Sequence, residues 1–309
     1  MHKIIVTGGS GFLGYHTVIA LLQRSPGAEI LIFDQKEPDW PFEGEVVVQD
    51  IADSAGMQKM IRQLRPDAIV HLAGILGTGE QVHDVMPSLQ VNTVATVELL
   101  EFLKNDFPDI RVGLTVNGNG EWNNTYAITK ETAGRFALMF NKEFGTKFAV
   151  IRPFNAFGEW QKAHPIRKIG PHVITRALQN APIDIYGNGE QQFDLVYAGV
   201  VGEALAQSVL HPVSDYSRIF ECGSGSTVTP VSFSKAVIKM IDGAKPDLNF
   251  LPMRSGEPES SVLVANVSTM EPLGLKSNGA DSFESDLSRT IDWYRTAMDA
   301  SRDIYVDRV

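Results

Sequence analysis

Residues 7–14, TGGSGFLG, stand between a run of β-branched residues, IIV, and a helical segment that reaches Arg24. A short apolar strand that turns on glycines straight into a helix is the start of a βα unit, and it restricts this chain more than any other feature. The glycines at 8, 11 and 14 have the spacing GxxGxxG. The first permits a tight turn, the second lets backbone amides approach an anion, and the third lets the helix pack close on the strand. The helix N-terminus adds free N–H groups and the positive end of its dipole. Ser25-Pro26-Gly27 then ends the helix.

The same alternation continues. Strands are predicted at 29–34 (EILIFD), 45–50 (EVVVQD), 68–74 (AIVHLAG), 111–116 (RVGLTV) and 147–153 (KFAVIRP), and helices at 54–65, 88–105 and 125–144, with Ser54 as N-cap of the first of these. Continuous apolar strands separated by helices imply a parallel sheet covered on both faces. The predicted fold is therefore α/β, a Rossmann-type doubly wound parallel sheet occupying residues 1–153. Beyond 153 Pro, Gly and polar residues become frequent, around helices at 171–180 and 231–242. Residues 154–309 are expected to form mainly a smaller C-terminal substrate-binding lobe. Short strands near 193–197 and 218–222 are expected to return to the main sheet.

Asp34 ends the second strand 20 residues beyond Gly14. A carboxylate there accepts from both ribose hydroxyls of NAD and repels a 2′-phosphate, so NAD is expected rather than NADP. The gly-rich turn with Asp34, Asp50-Ile51, HLAG (71–74), Asn92 and YAITK (126–130) resembles the extended short-chain dehydrogenase/reductase family, in its nucleotide-sugar epimerase/dehydratase group. The resemblance implies an NAD site formed by Gly8, Gly11, Phe12, Leu13, Gly14, Asp34, Asp50, Ile51, Leu72, Ala73, Gly74, Asn92, Tyr126 and Lys130. It gives Asn92 the task of bracing the central strand and the lysine region; a polar residue on a helix face is the alternative. His71 reads as a satisfied strand histidine.

Tyr126 and Lys130 are four apart in a predicted helix and so share a face. A free phenol, with a pKa of about 10, is too weakly acidic to act as a base near neutrality. A nearby ammonium and the positive nicotinamide favour the phenolate, which then removes a proton from a substrate hydroxyl as hydride leaves the same carbon. The family places a Ser or Thr hydroxyl beside this tyrosine. Here Asn117 stands at that position, with Thr115 two residues earlier and Thr125 next to Tyr126 as other sources. An amide can donate and accept but cannot relay a proton through one oxygen. Sugar dehydratases of the family carry an Asp-Glu pair just after the hydroxyl residue. Gly118 and Asn119 occupy those positions, so oxidation or epimerisation is expected over elimination.

On the substrate side, RPFNAFG (152–158) and RSGEPES (254–260) resemble family motifs. They imply substrate contacts from Asn155, Arg254 and Glu257, with Phe154 either near the nicotinamide or simply core, and His172 facing the same pocket. Phe193 precedes Asp194 where relatives carry arginine. The expected partner is a nucleotide-diphosphate sugar, oxidised transiently at a ring hydroxyl as in a 4-epimerase. Dehydratase or decarboxylase outcomes are the alternatives, as is a non-catalytic NAD or nucleotide-sugar binder. A homodimer through helices 88–105 and 125–144 is expected. The net charge of −10 argues against nucleic acid. No apolar run of about 18 residues suggests a membrane span. The lone Cys222 excludes a disulfide framework or multi-cysteine metal site, no metal is expected, and the setting is read as cytoplasmic.

Overall fold

The computed structural model describes residues 2–77, 83–120, 122–254, 261–275 and 282–307. Its first half runs β1 (Lys3–Thr7), α1 (Phe12–Arg24), β2 (Glu29–Asp34), β3 (Glu45–Val48), α2 (Ser54–Leu64) and β4 (Ala68–His71). Next come α3 (Met86–Ser88), a π-helix (Leu89–Ala95) and α4 (Thr96–Asp106), then β5 (Arg111–Thr115), α5 (Thr125–Phe144) and β6 (Lys147–Pro153). The second half contains β7 (Asn155–Phe157), α6 (Ile169–Leu178), β8 (Ile183–Tyr186), β9 (Gln192–Phe193), β10 (Leu195–Tyr197), α7 (Ala198–Leu210), β11 (Ile219–Cys222), α8 (Pro230–Lys239), β12 (Leu248–Leu251), β13 (Val262–Leu263) and α9 (Phe283–Asp299).

One seven-stranded sheet has the order β11-β6-β5-β4-β1-β2-β3, and all its pairings are parallel. Alternate side chains of a strand face opposite sides, and both sides are covered. Ile4 and Val6 join a core with Val18 and Leu21 of α1 and Val201 and Leu205 of α7. Ile5, between them, joins the opposite core with Ile61 of α2, Leu100 of α4 and Phe140 of α5. The strand order reverses between β1 and β4, and a crevice at the C-terminal ends of strands on either side of such a reversal is where open α/β sheets bind ligands.

Three features depart from the expectation. The α2 N-cap is Asp53, whose carboxylate accepts from Gly56 N at 3.1 Å, and Ser54 is the first helical residue. Of the two strands expected to return to the sheet, only β11 does so, beside β6; β10 pairs with β7 instead. Helix α7 was not foreseen. It lies against α1 where a Cβ at Gly202 would sit 2.4 Å from the His16 carbonyl oxygen, an approach only glycine allows. The lobe is built on three separate parallel pairs, β10-β7, β12-β8 and β13-β9. Asp194, fully buried, ties its loops together by accepting from Ser224 N, Gly225 N and Ala265 N at 2.6, 2.9 and 3.1 Å. Among the described residues no helix is long and apolar enough to cross a membrane.

Candidate active site

A cleft of about 390 Å³ opens over the β1–α1 turn and is lined by Gly8, Gly11, Phe12, Leu13, Gly14, Asp34, Ile51, Leu72, Ala73 and Gly74. The three glycines do different things. Gly8 has φ +69°, and a Cβ there would lie 2.6 Å from Ala73 N, so it seats the turn against the HLAG segment. A Cβ at Gly14 would lie 2.1 Å from the Gly9 carbonyl oxygen. At Gly11, chain neighbours aside, the only atom of the described residues within 4 Å of a built Cβ is Gly8 O, at 3.2 Å, so space is left open beyond it. This is the cradle that a pyrophosphate needs, at the start of a helix that bears no acidic residue in its first turn.

Asp34 stands at the end of the cleft and accepts from Ser10 N at 3.0 Å. Burial raises its pKa, against the pull of the Ser10 and Gln35 N–H groups, so polar donors from a ligand would be welcome. Lys36 also lines the cleft, and its ammonium is 3.8 Å from Asp39. Asp50 is not in the lining. It is exposed, and its carboxylate accepts from Ala52 N at 2.9 Å; its neighbours Gln49 and Ile51 face the cleft instead. Asn92 is fully buried behind the wall rather than in it. Its Oδ1 accepts from Ile75 N at 2.7 Å, and its Nδ2 donates to Ile75 O at 3.0 Å and Thr129 Oγ1 at 3.1 Å. It therefore locks the end of the HLAG turn to α5. His71 is also satisfied, between the hydroxyls of Thr7 and Thr96 at 2.8 and 2.9 Å, and burial drives its pKa down to about 3.

Tyr126 and Lys130 line the same cleft from the first turns of α5, with Thr115 beside them from β5. The helix starts there because Asn124 caps it, accepting from Ala127 N at 2.9 Å. Lys130 is 3% exposed. Its Nζ lies 3.7 Å from the place a Cβ would take at Gly74, and burial lowers its pKa to about 8. Tyr126 is pushed up to about 12 by burial. Thr125, the other hydroxyl source, is buried and lines neither cavity.

A second cavity of about 330 Å³ lies between the sheet and the lobe, and it meets the first at Phe12, Leu13, Leu76 and Tyr126. Its walls include Asn117, Asn119, Phe154, Asn155, Arg167, Lys168 and Arg254. The Arg254 guanidinium lies 5.0 Å from the Tyr186 ring centre and donates to Arg167 O at 3.2 Å. Asn155 Nδ2 donates to Asp194 O at 3.2 Å. His172 also lines this cavity, but its ring is already engaged. Its Nδ1 bonds Asp307 at 2.5 Å and its Nε2 accepts from Asp184 N at 3.0 Å, so neither ring nitrogen is left for a substrate. Glu257 lies outside the described residues. Tyr186, Gln161, Gln191 and Trp122 line this cavity without having been singled out, because isolated residues in loops and at the end of a short strand carry no periodic signal. Cys222 is a buried thiol raised to about 12 by burial, and so unreactive.

The family model described as the NAD dependent epimerase/dehydratase family matches residues 4–223. A dTDP-glucose 4,6-dehydratase of Xanthomonas campestris pv. campestris is 23% identical over 94% of this chain and 93% of its own length. The crystal structure of UDP-glucose 4-epimerase with UDP-glucose from Thermotoga maritima superposes with a TM-score of 0.85 at 23% identity, covering 96% of this chain and 99% of that one. That of the Thermus thermophilus UDP-glucose 4-epimerase in complex with NAD gives 0.82 at 25% identity, with the same coverage.

Proposed function

This chain belongs to the NAD dependent epimerase/dehydratase family, and from that premise we propose that it oxidises a ring hydroxyl of a nucleotide-diphosphate sugar, at C4, and returns the hydride to either face of the ketone. The observation that carries this reading is the position of Tyr126, which lines both cavities. A hydroxyl held in one cavity and a nicotinamide held in the other meet at its phenol. Residues 1–153, with β11 and α7 returned to the sheet, would hold the cofactor, and residues 154–309 mainly the substrate.

The open space at Gly11 and the carboxylate of Asp34 fit NAD. The α1 N-terminus would take the pyrophosphate and Asp34 a ribose. When bound, NAD accepts hydride from the carbinol carbon and supplies it again. The remaining work falls to the protein. Tyr126 takes the hydroxyl proton, and Lys130, beside the Gly74 turn, holds positive charge in the cleft. A phenol raised to about 12 by burial is not a base at neutral pH. Bringing it to neutrality requires roughly 7 kcal/mol of differential stabilisation, which positive charge in a dry site can supply. The phenolate is thus expected only in the loaded enzyme. Arg254 and the neighbouring Lys168 face the diphosphate. Gly118 and Asn119 offer no carboxylate for the second proton transfer of an elimination, which favours epimerisation over dehydration.

The test is a panel of sugar nucleotides incubated with the NAD-loaded protein, with products separated by chromatography. A Tyr126→Phe variant is expected to bind NAD and substrate as the parent does and to turn over about 10²–10⁴-fold more slowly. Conversion at the parental rate overturns the assignment of the base. We further propose a homodimer formed through α4 and α5, because Ile128, Phe136, Met139 and Phe144 leave an apolar stripe exposed on α5.

A further inference from the structure

Asn117 and Asn119 both wall the second cavity, yet their amides are engaged differently. Asn117 Nδ2 donates to Asn119 O at 3.0 Å, and Asn117 O accepts from Arg152 Nε at 3.2 Å. Its amide serves the loop. Asn119 is 8% exposed, and its Nδ2 has no hydrogen-bond partner. A buried N–H left unmade costs about 1–3 kcal/mol, and native chains keep few of them.

The backbone on either side of Asn119 is closely packed. Arg152 is held under it by Glu131 at 2.8 Å and Glu221 at 3.5 Å. A Cβ at Gly118 would lie 2.6 Å from Pro153 O, and one at Gly120 would lie 2.7 Å from Glu131 Oε2. The cavity wall carries a second orphan of opposite polarity. Gln161, also 8% exposed, donates through Nε2 to Ala156 O at 2.9 Å, while its Oε1 is buried without a partner. Both residues line one cavity, and a buried donor and acceptor left without partners suit neither an apolar ligand nor a bare anion. They suit hydroxyls, each of which can accept from an N–H and donate to a carbonyl.

We propose that Asn119 Nδ2 donates to, and Gln161 Oε1 accepts from, hydroxyl groups of the sugar ring of the substrate. This rests on the sugar-nucleotide reading above and extends it: Asn119, not Asn117, is the amide that reads the sugar.

The measurement is calorimetric binding of UDP, UDP-glucose, dTDP and dTDP-glucose to the NAD-loaded protein. Three variants accompany the parent: Asn119→Asp, which keeps the shape and loses the N–H; Asn119→Ala, which is uncharged; and Asn119→Ser, which restores a short donor. The readout is the ratio of sugar-nucleotide affinity to that of the matching nucleoside diphosphate. It is expected to fall roughly tenfold in the Asp and Ala variants and to recover in part with Ser. Ligand-free melting temperature is expected to hold or rise in Asn119→Ala, since an orphan is removed; an amide with a merely structural role would lower it. A ratio kept within about twofold of the parent in both Asp and Ala variants overturns the proposal alone. A parent that binds none of the four ligands overturns the sugar-nucleotide reading itself, and this inference with it.

Discussion

Lys130 is a buried ammonium whose pKa is set by burial alone, at about 8. That fixes the sign of its effect on stability. The folded state holds the proton less tightly than the unfolded chain, whose lysine titrates at about 10.4. The fold is therefore penalised at all pH values below the folded pKa, and the penalty fades as pH rises from about 8 to about 10.4. Lys130→Met is expected to raise the ligand-free unfolding free energy at neutral pH by up to about 3 kcal/mol. The gain should shrink across that window, while turnover is lost. Urea denaturation of parent and variant across the window checks it. A variant less stable than the parent at neutral pH would mean that the ammonium has a stabilising partner, and the account of its poise would fail. The YxxxK spacing was enough to place the phenol and the amine on one helix face. It was not enough to show that burial moves each against its ionised form, because depth depends on what the rest of the chain packs around the helix. The engagement of Asp50 and His172 was not legible for a related reason: a sequence shows which groups can bond a ligand, not which have already bonded their own backbone or a distant aspartate.

At the level of elements, the critical joint is the first turn of α5. Asn124 is 4% exposed and its side chain holds Ala127 N, so Tyr126 stands in a turn that begins at a fixed point. Asn124→Ala is expected to cost about 1 kcal/mol of stability and to lower kcat more than it changes KM, since the phenol would fray with the turn. Asn124→Ser, another good cap, should restore both. Chemical denaturation together with steady-state kinetics measures this, and an unchanged kcat in a destabilised Ala variant would separate the cap from the chemistry. The strands and helices of the first half were legible because apolar runs and glycine punctuation reach the residue level there. The π-helix Leu89–Ala95 was not, since one extra residue per turn leaves no mark on a predicted helix over 88–105. Yet this irregular stretch carries Asn92, whose amide clamps the cofactor turn, as π-helical segments often do near functional sites. Helix α7 was not legible because the Pro-, Gly- and polar-rich second half was read as a lobe, although Gly202 serves close packing on α1.

In the molecule as a whole, the sheet was legible and the lobe was not. Parallel order follows from βα alternation with right-handed crossovers, whereas β7, β8, β9, β10, β12 and β13 are strands of two to four residues whose partners lie far along the chain. The same division applies to the outer surface. The exposed side chains Ile128 (54%), Phe136 (39%), Met139 (38%) and Phe144 (57%) recur along one side of α5, and Met86 (61%) of α3 and Leu89 (38%) of the π-helix are further exposed apolar side chains. An apolar face of this kind on a monomer is unusual and marks an interaction surface. The stripe belongs to the helix that carries Tyr126 and Lys130, so covering it would stiffen the catalytic helix from behind. The pair Phe136→Arg and Met139→Glu places charge in the middle of the stripe while leaving both cavities untouched. It is expected to convert a dimer to monomers in light scattering coupled to size exclusion, to keep NAD affinity, and to reduce kcat severalfold. Parental protein that runs as a monomer at micromolar concentration would remove the dimer and leave the apolar face to another partner.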